Sequence, residues 1–78
     1  MRITIKLFAV LRGYLKTGNA GVGTLDVPEA ATVEVVLTSL GLPEKMPKIV
    51  LINGEQKRLS EPLAAGDTLS VFPPMAGG

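Results

Sequence analysis

One segment of this chain places its apolar residues at helical spacing. Val33, Val36, Leu37 and Leu40 fall at i, i+3, i+4 and i+7, a single stripe along a short helix. The β-branched valines are weak helix formers, so tertiary packing must hold the helix in place. A chain of 78 residues has room for one small domain and a compact core. The stripe therefore has to bury against whatever the remaining apolar runs build, and those runs read as strands.

Local signals bound each element. Thr32 is placed as the helix N-cap, and Glu34 sits in the first turn, where the helix dipole favours negative charge. Gly41 and Pro43 stop the helix. Ile3, Ile5 and Leu7 alternate with Thr4, Lys6 and Phe8, the pattern of a half-buried strand. Lys16 to Gly23 reads as a loop, and Thr24-Leu25-Asp26-Val27 as a second strand stopped by Pro28, the two strands forming a hairpin with a long connection. Lys48 to Ile52 is a strand that ends in the tight-turn pair Asn53-Gly54. Polar residues follow, then Leu59 and the corner Glu61-Pro62-Leu63. Gly66-Asp67 turns the chain into a last strand, Thr68 to Phe72, with Leu69 and Val71 on one side and Thr68, Ser70 and Phe72 on the other.

The order strand, strand, helix, strand, short elements, strand is the α+β arrangement called β-grasp: a mixed, ubiquitin-like sheet crossed by one helix. In that arrangement the first and last strands lie side by side and parallel. The expected division is a β-grasp domain over 1–72 and a flexible C-terminal tail over 73–78.

Composition removes several kinds of chemistry. The chain has no Cys, hence no thiolate nucleophile or ligand, and no His, the commonest acid–base group at neutral pH. The formal charge is +1 with no basic run, which does not imply nucleic acid as a partner. No segment is long and apolar enough for a membrane span, and a cytoplasmic location is the expectation. No side chain is singled out as catalytic and no metal site is expected.

The last residues, Phe72-Pro73-Pro74-Met75-Ala76-Gly77-Gly78, offer a different kind of chemistry. Glycine lacks a Cβ, so Gly77 and Gly78 can thread a narrow tunnel and leave the terminal carboxylate as the group presented. Pro73 and Pro74 either stiffen the tail base toward an extended form or simply end the strand. Extended, the residues beyond Phe72 reach roughly 20 Å, enough to enter a deep pocket.

These features together resemble the ubiquitin-like sulfur carriers, the MoaD/ThiS family, and most of all the small subunits of molybdopterin synthase. The resemblance is carried by Lys6-Leu7-Phe8-Ala9-Val10-Leu11-Arg12, Ala31-Thr32-Val33, Ile52-Asn53-Gly54, Pro62-Leu63 with Gly66-Asp67, and above all the tail. Pro73-Pro74 favours the molybdopterin type over the thiamine (ThiS) type. The Gly18 to Gly23 loop is longer than the tight first hairpin of ubiquitin, and Gly41 to Lys48 is too short and proline-rich to hold more helix.

The resemblance implies a carrier, not an enzyme. An E1-like (MoeB-like) adenylyltransferase would use ATP and magnesium to adenylate Gly78, and a sulfur donor would then leave a C-terminal thiocarboxylate. That group would donate sulfur in molybdenum or tungsten cofactor biosynthesis, within a heterotetramer formed with a MoaE-like large subunit. No cofactor would be bound, and neither nucleic acid nor membrane would be a partner. A ThiS-like role in the thiamine pathway, a ubiquitin-like role as a protein modifier, and a non-covalent β-grasp interaction module whose glycines do nothing are the alternatives.

Phe8 and Phe72 sit on the polar sides of their strands. If the strands are neighbours, the rings form an apolar spot where the tail departs, and the family uses this face for partners. The competing placement puts Phe72 over the core beneath the Pro62-Leu63 corner. Arg12, Lys57 and Arg58 are candidates for steering an acidic partner, against the plainer role of solvated surface. Asp67 is expected to cap local amides, Tyr14 to anchor a loop, and Met46 and Met75 to fill gaps. Glu55 and Glu61 make no credible acid–base pair without a cleft.

Overall fold

The structure, a computed structural model, describes residues 1–15 and 20–74. Period-two patterning sets the sheet. In β1 (Arg2–Leu7), Ile3, Ile5 and Leu7 are buried while Thr4 and Lys6 remain half open. β1 pairs antiparallel with β2 (Val22–Asp26). The helix α1 (Val33–Ser39) then crosses over, and β3 (Ile49–Ile52) turns through Asn53-Gly54 into the short β4 (Glu55–Gln56). Both turn residues have positive φ, 52° and 86°, the geometry this dipeptide supplies cheaply in a tight hairpin. β5 (Thr68–Phe72) lies between β1, to which it is parallel, and β3, to which it is antiparallel. The sheet order is β2-β1-β5-β3-β4. The β-grasp expectation is therefore met, including the parallel central pair.

The helix stripe explains where the core sits. Val33, Val36 and Leu37 are buried in one cluster with Ile3, Ile5, Leu7, Leu69 and Val71, and Leu40 packs at its margin. Each such aliphatic side chain contributes about 1.5–3 kcal/mol on burial, so the helix is held by its face and not by its propensity. Its first amides are all satisfied. Val33 and Glu34 donate to the carbonyls of Glu61 and Leu59 at 3.0 and 2.9 Å, and Val35 donates to Thr32 Oγ1 at 3.3 Å. The Glu61-Pro62-Leu63 corner thus closes the helix start from outside, and Leu63 N reaches Ala31 O at 2.8 Å.

Two expectations need correction. The loop drawn over Lys16 to Gly23 is too long at its end, because Val22 and Gly23 pair with Lys6 and Ile5 and belong to β2. Leu7 N donates to Gly21 O at 2.8 Å, which starts the ladder despite the glycines. That strand ends at Asp26, and Val27 follows it as a buried core residue. The second correction is a 3-10 turn, Ala9–Tyr14, that no sequence signal announced. It buries Leu11 completely and carries Tyr14, half-buried against the core, as the expected loop anchor.

Candidate functional site

The side of the sheet away from α1 is open, and register decides what stands on it. Paired residues share a face. Moving along β1, the first open row joins Arg2 to Asp26, the next Thr4 to Thr24 and Thr68, and the next Lys6 to Val22 and Ser70, with Leu51 and Gln56 beyond. Phe72 pairs with Ile49 in the last row. Phe8 comes level with them because its amide donates to Val71 O at 3.1 Å.

The result is an aromatic stack. The rings of Phe8 and Phe72 lie 4.1 Å apart between centroids and within 10° of parallel. Phe72 is one residue out of phase with the buried Leu69 and Val71, so it faces away from the Pro62-Leu63 corner, which closes the helix side. Of the two placements weighed for Phe72, the open face is the one found. Phe8 retains 37% of its exposure and Ile49 38%, so the row is accessible apolar surface beside the end of β5, and Val22 in the adjoining row retains 43%. Pro73 is half-buried and Pro74 exposed immediately beyond Phe72. Met75, Ala76, Gly77 and Gly78 lie outside the described residues.

Sequence reasoning found the two phenylalanines and missed Ile49 and Leu51. The missed signal was the unbroken run Ile49-Val50-Leu51-Ile52, which puts apolar residues on both faces of one strand.

Other candidates settle into structural roles. Asp67 accepts from Ala64 N at 2.8 Å and from Asn53 Nδ2 at 2.9 Å, while Asn53 Oδ1 takes Thr68 N at 2.9 Å. Asp67 therefore caps amides as expected, and the network fixes the β3–β4 turn to the start of β5. Lys57 pairs with Glu55 at 3.6 Å, Arg58 is exposed, and Met46 packs against the core. At the far end of the open face, Arg2 Nε and Nη2 donate to Asp26 at 3.1 and 3.3 Å. These hydrogen bonds and the nearby charge hold the Asp26 carboxyl below the usual carboxylate range. A cleft beside α1, lined by Glu34, Leu37, Leu42 and Leu59 among others, has about 10 Å³ of free space, room for a water and not for a substrate. No helix among the described residues is long and apolar enough to cross a membrane.

Known proteins match this geometry. The model of the ThiS family matches residues 5–78, and the chain belongs to that family of small ubiquitin-like carriers. Two crystal structures of SAMP1, small archaeal modifier protein 1 from Haloferax volcanii, share 33% and 30% identity with the chain, with TM-scores of 0.76 and 0.70. The alignments cover 100% of both chains in the first case, and 95% of this chain and 98% of the other in the second. A putative molybdopterin converting factor subunit 1 from Pyrococcus furiosus is 22% identical with TM-score 0.73, over 95% of this chain and 98% of that one. Subunit 1 in the complex of subunits 1 and 2 of molybdopterin-converting factor from Helicobacter pylori is 19% identical with TM-score 0.61, over 100% of both chains. The last two likenesses show the fold. No curated protein sequence matches the chain.

Proposed function

We propose that this protein is a sulfur carrier whose reactive group is the Gly78 carboxylate and whose docking face is the Phe8–Phe72–Ile49 row. A carboxylate is a poor electrophile, ionised at neutral pH with an ordinary pKa of about 3.5. It must first gain a leaving group. An E1-like adenylyltransferase supplies one: a Gly78 oxygen attacks the α-phosphorus of magnesium-bound ATP, and pyrophosphate leaves. A sulfur nucleophile, hydrosulfide in the simplest case, then attacks the acyl carbon. The C–S bond forms, the C–O bond to AMP breaks, and a thiocarboxylate remains. In a MoaE-like partner that sulfur passes to a pterin precursor during molybdopterin synthesis.

The observation that carries this reading is the stacked pair beside Pro73-Pro74, an accessible apolar anchor at the point where the tail leaves the sheet. Docking there holds the chain while its end enters another protein's active site, so this chain needs no catalytic side chain of its own. Family membership supports the carrier chemistry, and the Helicobacter pylori complex supports a large-subunit partner.

A second reading has its own support. The identities of 33% and 30% are with a protein described as a modifier. The same adenylate attacked by a lysine amine gives an isopeptide bond, with AMP as the leaving group. Pyrophosphate exchange with a cognate activating enzyme and ATP tests the step common to both readings. Exchange that is lost on deleting Gly78 supports them, and exchange that survives the deletion contradicts them. Protein adducts that persist under reducing denaturing conditions would then favour the modifier.

A further inference from the structure

Among the described residues, the charged side chains next to Phe8 on the open face are cations. Lys6 stands in the row next to Phe8, between Val22 and Ser70. Arg12 is exposed on the turn that follows Phe8. Neither forms a salt bridge among the described residues. Asp26 is the one acid among the paired residues of the open face, and it stands at the far end, engaged by Arg2. Across the sheet, Lys48 precedes Ile49 and its ammonium is held by loop carbonyls, that of Met46 at 2.7 Å. Lys48 and Glu44 of that loop both line the cleft beside α1, so this pair adds neither sign to the open face.

The turn bearing Arg12 is firmly tied. Leu11 N donates to Phe8 O at 3.1 Å, Leu15 N to Arg12 O at 3.2 Å, and Leu11 is fully buried. Arg12 Nε donates to Ala9 O at 3.2 Å. Gly21 lies so close to the arginine stem that a Cβ there would come within 2.6 Å of Arg12 Cγ. The guanidinium is thereby oriented by its own turn, and among the described residues its terminal nitrogens make no hydrogen bond. A preorganised fork of this kind suits a carboxylate. Between Phe8 and Arg12 stands Val10, 79% exposed on the same turn.

We infer that Val10, Arg12 and Lys6 form a charge-reading extension of the docking face, and that the adenylating enzyme meets it with an apolar socket rimmed by carboxylates. This rests on the carrier reading above and says how that partner is selected. The aromatic row sets how long the complex lasts, while the two cations set how fast it forms and which apolar sockets are accepted.

The test is association kinetics between the full chain and a purified E1-like enzyme, with adenylation of the chain measured in the same preparation. Raising salt from about 0.01 M to about 1 M shortens the Debye length from about 30 Å to about 3 Å. The association rate of the native chain should fall by about tenfold or more over that range. Lys6→Glu with Arg12→Glu should associate slowly at low salt and lose that dependence, with the dissociation rate little changed. Lys6→Gln with Arg12→Gln should lie between the two, and keeps the test decisive if the reversed variant misfolds. Val10→Asp should slow association and speed dissociation, whereas Phe72→Ala should speed dissociation at every salt concentration. A charge-reversed variant that associates like the native chain, with the same salt slope, overturns this proposal. If Phe72→Ala still weakens that complex, the carrier reading survives. Failure of the native chain to be adenylated overturns both.

Discussion

On the proposed docking role, Phe72 should separate docking from stability, because it is half-buried on the open face, stacked on Phe8 and not set in the core. Phe72→Ala should cost less than about 2 kcal/mol in urea unfolding, since its ring is only partly withdrawn from water. Partner affinity should fall by about tenfold or more, the loss typical of an anchor residue. Unfolding of the variant would refute the open-face assignment. Gly21 makes the opposite point. Its φ is +80°, and an added Cβ would collide with Leu7 O and the Arg12 stem. Gly21→Ala should lower stability by about 1–3 kcal/mol, while Gly13→Ala, where a Cβ meets nothing within 4 Å, should leave the unfolding midpoint unchanged. Asp26 has a depressed pKa, so any stability it adds is present above the ordinary carboxylate range and is lost as pH falls through its folded pKa. Both partners of the Arg2–Asp26 pair are largely exposed, at 69% and 74%, and water screens them. The acid-unfolding curve of Asp26→Asn should therefore overlay that of the native chain.

At the scale of elements, α1 tests how tertiary packing compensates for poor propensity. Leu37→Ala should cost about 2–5 kcal/mol, the range for emptying a packed core site. Thr32→Ala should cost about 1 kcal/mol through the lost cap. Thermal and denaturant unfolding of the two variants would check both size and order; a larger loss at Thr32 would mean that capping and not burial holds the helix. The helix was legible because its stripe, its cap and its stop agreed, and β1 and β5 because each alternated cleanly. The 3-10 turn was not legible, since it depends on contacts distant in sequence: Phe8 N on Val71 O, and Gly21 against Arg12. Ala9 adopts a φ of 55° there, and an alanine carries no signal for it. The start of β2 was hidden for a similar reason, because Val22 and Gly23 join the ladder through their pairing with β1 and not through their own pattern. Ile49 was overlooked as a site residue because a strand with two apolar faces looks like core until its neighbours are known.

For the molecule as a whole, the parallel placement of β1 beside β5 joins the two ends of the domain chain. It brings Phe8 to Phe72 across more than sixty positions of sequence. Element order alone implied that adjacency, so the aromatic pair on the open face was readable in outline; the apolar residues and cations beside it needed the register. The tail expected over 73–78 rests on composition, because Pro-Pro followed by Gly-Gly stands apart from anything a strand or helix uses, and its last four residues lie outside the described ones. On the carrier account, deleting Gly78 should abolish activation and leave the unfolding curve unchanged, since among the described residues the packed core ends within β5. The most direct measurement is the intact mass of the chain after incubation with a cognate activating enzyme, ATP and a sulfur source. The account predicts a gain equal to replacing one oxygen by sulfur, mapped by fragmentation to Gly78. An unchanged mass, with an activating enzyme that loads a known carrier in parallel and demonstrably binds this chain, would contradict it.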